Sequence, residues 1–227
     1  MKSLFTAGLI FLVFSTSFAQ TDFSVGVTGG VKIPVGQFTE FYDVGYGGSG
    51  TIIYNLSRDF IVTFSSGYNR WNVDEGAVNN KAKEDGINAR FELDSYFRTI
   101  PFLVGVRYYL AHSKGRPFFS LEFGGYSYEF KLAGTVINTV GTDIPRVPIP
   151  ETKESGTESA LSFGLGYFHK LSKRWYFEFN TKYNVMTNAF SLNKPDQIYD
   201  PEKPSTIYGI KGTLNFISVS AGITFRI

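Results

Sequence analysis

Three groups of side chains in this 227-residue chain have types and spacing that bear on chemistry. The first is a pair of histidines, His112 and His169. A nucleophile activated by a histidine base needs the imidazole beside a Ser or Asp partner and a group that orients it. His112 lies in "AHSKGR" and His169 beside "KLSKR", two turn-like connections, so both read as rim histidines and no catalytic residue is assigned. The chain has no cysteine, which excludes thiolate catalysis and leaves no His/Cys cluster for structural zinc. The second group is the acidic stretch "NVDEGAVNNKAKEDGINARFELD", with Asp74, Glu75, Glu84, Asp85, Glu92 and Asp94 against Lys81, Lys83 and Arg90. It lacks the D-x-[DN]-x-[DN]-G order of a calcium loop and reads as a solvated loop. Neither metal nor cofactor is expected. The third group is Arg107, Glu122, Glu178 and Lys182, single charges on a face that is otherwise small and polar. If that face is interior, each charge needs a partner. Arg107 and Glu122 flank the "AHSKGR" turn at similar distance, which predicts an ion pair between them, with Glu178 and Lys182 nearby. Such a cluster works as a gate, as a plug, or as filling.

What positions these residues is alternation. "DFSVGVTGGV" places Phe23, Val25, Val27 and Val31 on one side and Ser24, Gly26 and Thr28 on the other. The same period of two runs through "GSGTIIYNLS", "FIVTFSSGYN", "IPFLVGVRYYL", "PFFSLEFGGYSY", "LSFGLGYF", "WYFEFNTKYNV" and "SVSAGITFRI". That predicts about eight strands, each near the roughly 9–11 residues of a tilted membrane strand. Connections alternate as well: short turns at Ser57–Asp59, Ala111–Arg116 and Lys170–Arg174, long links at about 71–97, 131–160 and 187–212, and an intermediate one at Gly36–Gly45. Short turns at one end and long loops at the other predict an all-β, eight-stranded antiparallel up-and-down transmembrane β-barrel with its termini at the short-turn end. The rival is a soluble barrel with its apolar face inward around a ligand. A water-facing wall needs many Lys and Glu. The polar face here holds mostly Ser, Thr, Gly and Asn, which suit a crowded lumen, while Tyr54, Phe60, Tyr108, Phe119 and Trp175 near strand ends suit interfacial girdles.

The composition agrees. Mean hydropathy is −0.06, yet aromatic residues make up 17%. Formal net charge is +2, so electrostatics points to no nucleic-acid partner. Residues 1–19 read as a signal peptide: Lys2, an apolar run from Leu4 to about Phe14, then Ser17-Phe18-Ala19 as the small-x-small cleavage site. Residues 20–227 read as one barrel domain, exported to a Gram-negative outer membrane. The closing strand must pair with the first to leave no edge in lipid.

That last strand resembles the assembly signal of bacterial outer-membrane barrels, with Ser220, Gly222, Phe225 and Ile227 in the polar, glycine and two apolar places. Ile227 stands where the pattern often has Phe. The whole of 20–227 resembles the outer membrane β-barrel family of Bacteroidota, including its PorT-like members and OmpA-like eight-stranded barrels. The likeness is carried by "FRTIPFLVGVRYYL" followed by "KGRPFFSLEFGGYSYEF" and by Gln20 after the cleavage site. The resemblance implies a non-enzymatic surface or scaffold barrel. It also implies outer-membrane lipids and the barrel-assembly machinery as partners, and envelope or secretion proteins for the PorT-like members. A narrow gated pore is the third expectation.

Overall fold

The structure, a computed structural model, describes residues 23–111, 114–138, 146–187 and 214–227. The expected signal peptide and His112 lie outside the described residues. The strands are β1 (Phe23–Val35), β2 (Gly45–Asn55), β3 (Phe60–Asn72), β4 (Ala89–Leu93), β5 (Tyr96–Tyr109), β6 (Gly115–Asn138), β7 (Arg146–Lys170), β8 (Trp175–Met186) and β9 (Leu214–Arg226). One helix, α1 (Glu75–Glu84), sits between β3 and β4. All strands but β4 form an antiparallel barrel, closed by β1 on β9 through twelve register pairs from Ser24↔Arg226 to Val35↔Asn215.

Side-chain orientation decides between the two barrel readings. Val27, Phe64, Phe102, Phe123 and Leu165 stand on the outer wall, each at least 46% exposed, while Thr63, Arg107, Glu122, Ser162 and Glu178 face inward at no more than 1%. An apolar exterior around a polar interior is the inverse of a soluble ligand-binding barrel and is made for lipid. Rings meet across strands at the turn end: Phe23 with Tyr54 at 4.8 Å, Phe60 with Tyr108 at 5.0 Å and Trp175 with Phe225 at 5.0 Å. At the loop end the belt stops where charge reaches the outer face, at Arg70, Arg98 and Glu129. There Arg98 Nη2 donates to Glu129 at 2.6 Å and the Tyr96 hydroxyl donates at 2.9 Å. Those bonds, Arg98's above all, hold the Glu129 carboxyl below the usual carboxylate range.

Two of the short turns are built from one local pattern, Leu-Ser-x-x-aromatic. In Leu56–Phe60 and Leu171–Trp175 the Leu and Ser amides both donate to the carbonyl of the aromatic residue, at 2.9–3.1 Å. The serine hydroxyl accepts that residue's own amide, at 3.0 Å from Phe60 and 3.2 Å from Trp175. A serine that satisfies the backbone within its own turn makes a tight reversal cheap in sequence.

Two of the long links differ from expectation, while the one expected at 187–212 lies outside the described residues beyond Thr187. The link at 131–160 is mostly strand: β6 and β7 run on past the membrane belt as one hairpin, paired out to Ile137↔Arg146, with a register shift between Leu132 and Gly134. β4 adds to β6 by Ala89↔Asn138 through Leu93↔Gly134. The acidic stretch read as a solvated loop is α1 followed by β4. Asp74 caps the helix by accepting the Ala77 amide at 2.9 Å, and Gly86 ends it at φ +76°, a left-handed conformation that glycine adopts without strain. Ala82 packs with Phe91, Val136 and Ile149 in a small core of its own. The outer edge of β4 is covered by α1. Asn79 bonds both the N–H and C=O of Phe91, at 2.7 and 2.9 Å, and Glu75 accepts the Leu93 amide at 3.1 Å. Helix side chains thus occupy an edge that is otherwise open to a foreign strand. This head was missed because its apolar residues are shared among three distant segments, none of which is amphipathic enough alone.

Candidate functional site

The lumen is stacked in three layers. At the turn end Ile53, Ile61, Tyr109, Phe118 and Phe168 fill the cross-section. At the loop end Trp71, Phe97, Tyr126, Met186, Leu214 and Phe216 do the same. Phe38 joins them from a 3₁₀ turn at Gly36–Glu40, which folds into the mouth between β1 and β2. Its ring is 1% exposed and meets Trp71 at 5.3 Å and Phe97 at 5.9 Å, edge-on in both cases. The indole N–H of Trp71 donates to the Lys32 carbonyl at 3.0 Å, which gives the largest ring of the plug its polar partner.

Between the apolar layers lie the charges. Arg107 grips Glu178 with both guanidinium arms, Nη1 to Oε2 and Nη2 to Oε1, each at 3.1 Å. The two side chains reach each other from β5 and β8, strands that are not neighbours, so the pair spans the lumen. Asn180 donates to Glu178 at 2.9 Å, and the guanidinium carbon of Arg107 stands 4.9 Å from the Phe118 ring. Lys182 donates to Glu122 at 2.7 and 2.8 Å. The four residues do come together, but the expected Arg107–Glu122 pair is replaced by two crossed pairs. The hairpin closes at Tyr109↔Phe118, which puts Arg107 opposite Ser120 and Glu122 opposite Gly105, two residues further up the wall. Bidentate geometry favours the carboxylate that meets the guanidinium fork end-on, and that is Glu178.

A fifth charge belongs to this layer. Lys32 is 9% exposed, on β1, with its Nζ donating to Ser220 Oγ at 3.4 Å. Parity alone would have found it, because it continues the series Ser24, Gly26, Thr28 and Gly30 on the inner face. Asn184 binds the upper part together: its Oδ1 accepts Ser162 at 2.7 Å, and its Nδ2 donates to Ser218 at 3.1 Å and to the Phe216 carbonyl at 3.2 Å. Such a network, satisfied on most sides, specifies one arrangement of the interior.

Among the described residues no group of three or more His, Asp or Glu converges as a metal site. His169, at the turn end of β7, stacks on Tyr167 at 6.2 Å between ring centres.

The closing seam places the four residues of the expected assembly pattern. Ser220 and Gly222 face the lumen, opposite Gly30 and Thr28 of β1. Phe225 faces outward with its ring against Trp175, and Ile227 donates its amide to the Phe23 carbonyl at 3.1 Å. A Cβ at Gly222 collides with the Val27 carbonyl and lies 2.7 Å from Thr28 Cα, so this position requires glycine.

No protein-family model matches the sequence, and no curated protein matches it. Solved structures do. The Neisserial surface protein A, NspA, is similar over 91% of this chain and 98% of its own, at 11% identity and a TM-score of 0.55. This chain has the fold of an eight-stranded outer-membrane β-barrel. Also similar to it are a major outer membrane protein from Thermus thermophilus, at 11% identity over 92% of this chain and all of that one (TM-score 0.48), and Ail of Yersinia pestis, at 14% identity over 89% and 96% (TM-score 0.44). At these identities the likeness is one of fold.

Proposed function

We propose that this chain is a non-enzymatic integral protein of a bacterial outer membrane, a plugged barrel that holds a folded head on its loop side for contact with envelope or external proteins. One observation carries the reading. The lumen has apolar layers at both ends with its charges cross-paired between them, while among the described residues the structure beyond the wall is concentrated in α1, β4 and the extended β6–β7 hairpin. The interior stabilises; the head presents surface. In this reading residues 1–19 direct export. The barrel-assembly machinery recognises β9 through Ser220, Gly222, Phe225 and Ile227, and lipids of the outer membrane cover the aromatic wall. The loops face outward and the short turns face the periplasm. The resemblance to PorT-like barrels of Bacteroidota adds a secretion apparatus as the first place to look for a partner of the head. Co-purification from native membranes with the head intact and with α1–β4 removed tests that link.

Two measurements test the core of the proposal. Reconstituted in planar bilayers, the full chain gives no unitary conductance, because aromatic rings close both ends. Discrete conductance steps overturn the plug and restore the gated pore. Proteinase K added to intact cells cuts on the long-loop side of the barrel and leaves the turns at Lys114, Lys173 and Arg174 intact. Cleavage at those turns in sealed cells reverses the orientation.

A further inference from the structure

Just above the apolar belt, on the loop side, the outer wall carries two arginines side by side. Arg70 on β3 and Arg98 on β5 stand directly opposite each other in the register, and both point outward. The next residues down on the same faces are Tyr68 and Ile100, 37% and 42% exposed, with Phe64 and Phe102 deeper in the belt. The pair therefore lies at the height where hydrocarbon gives way to lipid headgroups. Like charges directly opposite on a sheet destabilise it, so this placement calls for anions.

One carboxylate is at hand, and it is already engaged. Glu129, opposite Arg98 on β6, accepts from Arg98 Nη2 at 2.6 Å and from the Tyr96 hydroxyl at 2.9 Å. The Tyr68 phenol makes a further hydrogen bond with Arg98. Higher on the wall Lys131 meets Asp94 at 3.1 Å and Lys153 meets Glu151 at 2.8 Å. Arg70 meets no carboxylate among the described residues. Its guanidinium carbon lies 4.5 Å from the centre of the Tyr96 ring. An aromatic face attracts a cation and holds it in place but does not neutralise it. The Arg70 Nε is buried, so the terminal nitrogens are what this side chain presents to a ligand. Those two nitrogens match two oxygens of a phosphate.

We propose that Arg70, with Arg98 beside it, is a binding site for one anionic lipid, its phosphate on the Arg70 guanidinium and its chains lying down the wall over Tyr68, Ile100 and Phe102. The lipid phosphate supplies the counter-charge that the chain itself leaves out. Position selects a lipid: the site opens sideways off the wall, where headgroups are at high local concentration, and it continues downward into the apolar belt. This is a fixed site for a single lipid, distinct from the lipid that covers the wall at large. It rests on the chain being a membrane barrel, and on neither the partner of the head nor the orientation.

The probe is phosphatidic acid, added to the full chain refolded in a maltoside detergent, with retention followed by native mass spectrometry. The expected result is saturable retention of one lipid per barrel, while phosphatidylcholine, whose phosphate is offset by its own choline, is lost. Arg70→Gln weakens retention about tenfold or more, the effect of losing a charge-assisted pair. Glu129→Gln tightens it, because Arg98 is then released to the phosphate; a purely structural role for this row does not give opposite signs. Lys173→Gln, at the turn end, leaves retention unchanged. A folded-band shift on unheated gels shows that every variant has formed its barrel, and so tests the barrel separately from the lipid site. Soluble glycerol 3-phosphate at the same concentration does not displace the lipid. Equal retention of phosphatidylcholine, no loss from Arg70→Gln, weaker retention in Glu129→Gln, or displacement by glycerol 3-phosphate overturns the proposal.

Discussion

Arg107→Ala destabilises the folded barrel by about 3–5 kcal/mol, the cost of leaving one member of a buried ion pair without its partner. Glu178, at 1% exposure, keeps the Asn180 amide as a donor once the guanidinium is gone. Glu178→Ala costs a similar amount for the converse reason. The double variant loses much less than the sum, because no uncompensated charge remains. The coupling in a double-mutant cycle is therefore about 3 kcal/mol, at the upper end for residues in contact. Replacing both residues by leucine is close to neutral, as apolar groups of similar volume refill the layer. The same cycle on Arg107 with Glu122 gives weaker coupling, since Glu122 is held by Lys182. Urea unfolding in detergent, followed by tryptophan fluorescence, reads all of these, with Trp71 buried in the layer above as a reporter. Coupling of Arg107 to Glu122 stronger than to Glu178 would show that the pairs are not crossed.

Gly222→Val prevents closure of the barrel. Valine is otherwise a favoured strand residue, so the effect isolates the seam. Its Cβ collides with the Val27 carbonyl and crowds Thr28, on the strand β9 must pair with for the wall to have no edge in lipid. The folded band on unheated gels is therefore lost and the chain remains protease-sensitive. Gly50→Val is the control. Gly50 lies mid-strand on β2 with nothing within 4 Å of an added Cβ, so this variant folds with normal yield. A closed barrel from Gly222→Val at normal yield would place the tolerance of the seam well above what the backbone spacing allows, and would leave the glycine with a recognition role alone.

The wall of this barrel was legible residue by residue. A strand's side chains alternate with a period of two whatever the rest of the chain does, and only one of its faces, here rich in Phe, Val and Leu, suits lipid. Strand positions, the outward sense of Phe64, Phe102 and Leu165, and the inward sense of Arg107, Glu122, Glu178 and Lys182 all follow from local pattern. So does Lys32, by the same parity. The lumen's partners do not follow. Arg107 meets Glu178 because the stagger of the closed sheet and the narrowness of the bore bring β5 and β8 face to face, and neither quantity is written in any one segment. Phe38 becomes a plug only because the mouth it folds into is lined by Trp71 and Phe97. The α1–β4 head exists only because Ala82, Phe91, Val136 and Ile149 are assembled from three separated stretches, each too weakly patterned to fold by itself. Short-range periodicity is a property of the chain and determined the wall. Register, crossing pairs and shared cores depend on which distant segments meet, so the tertiary structure alone decided them.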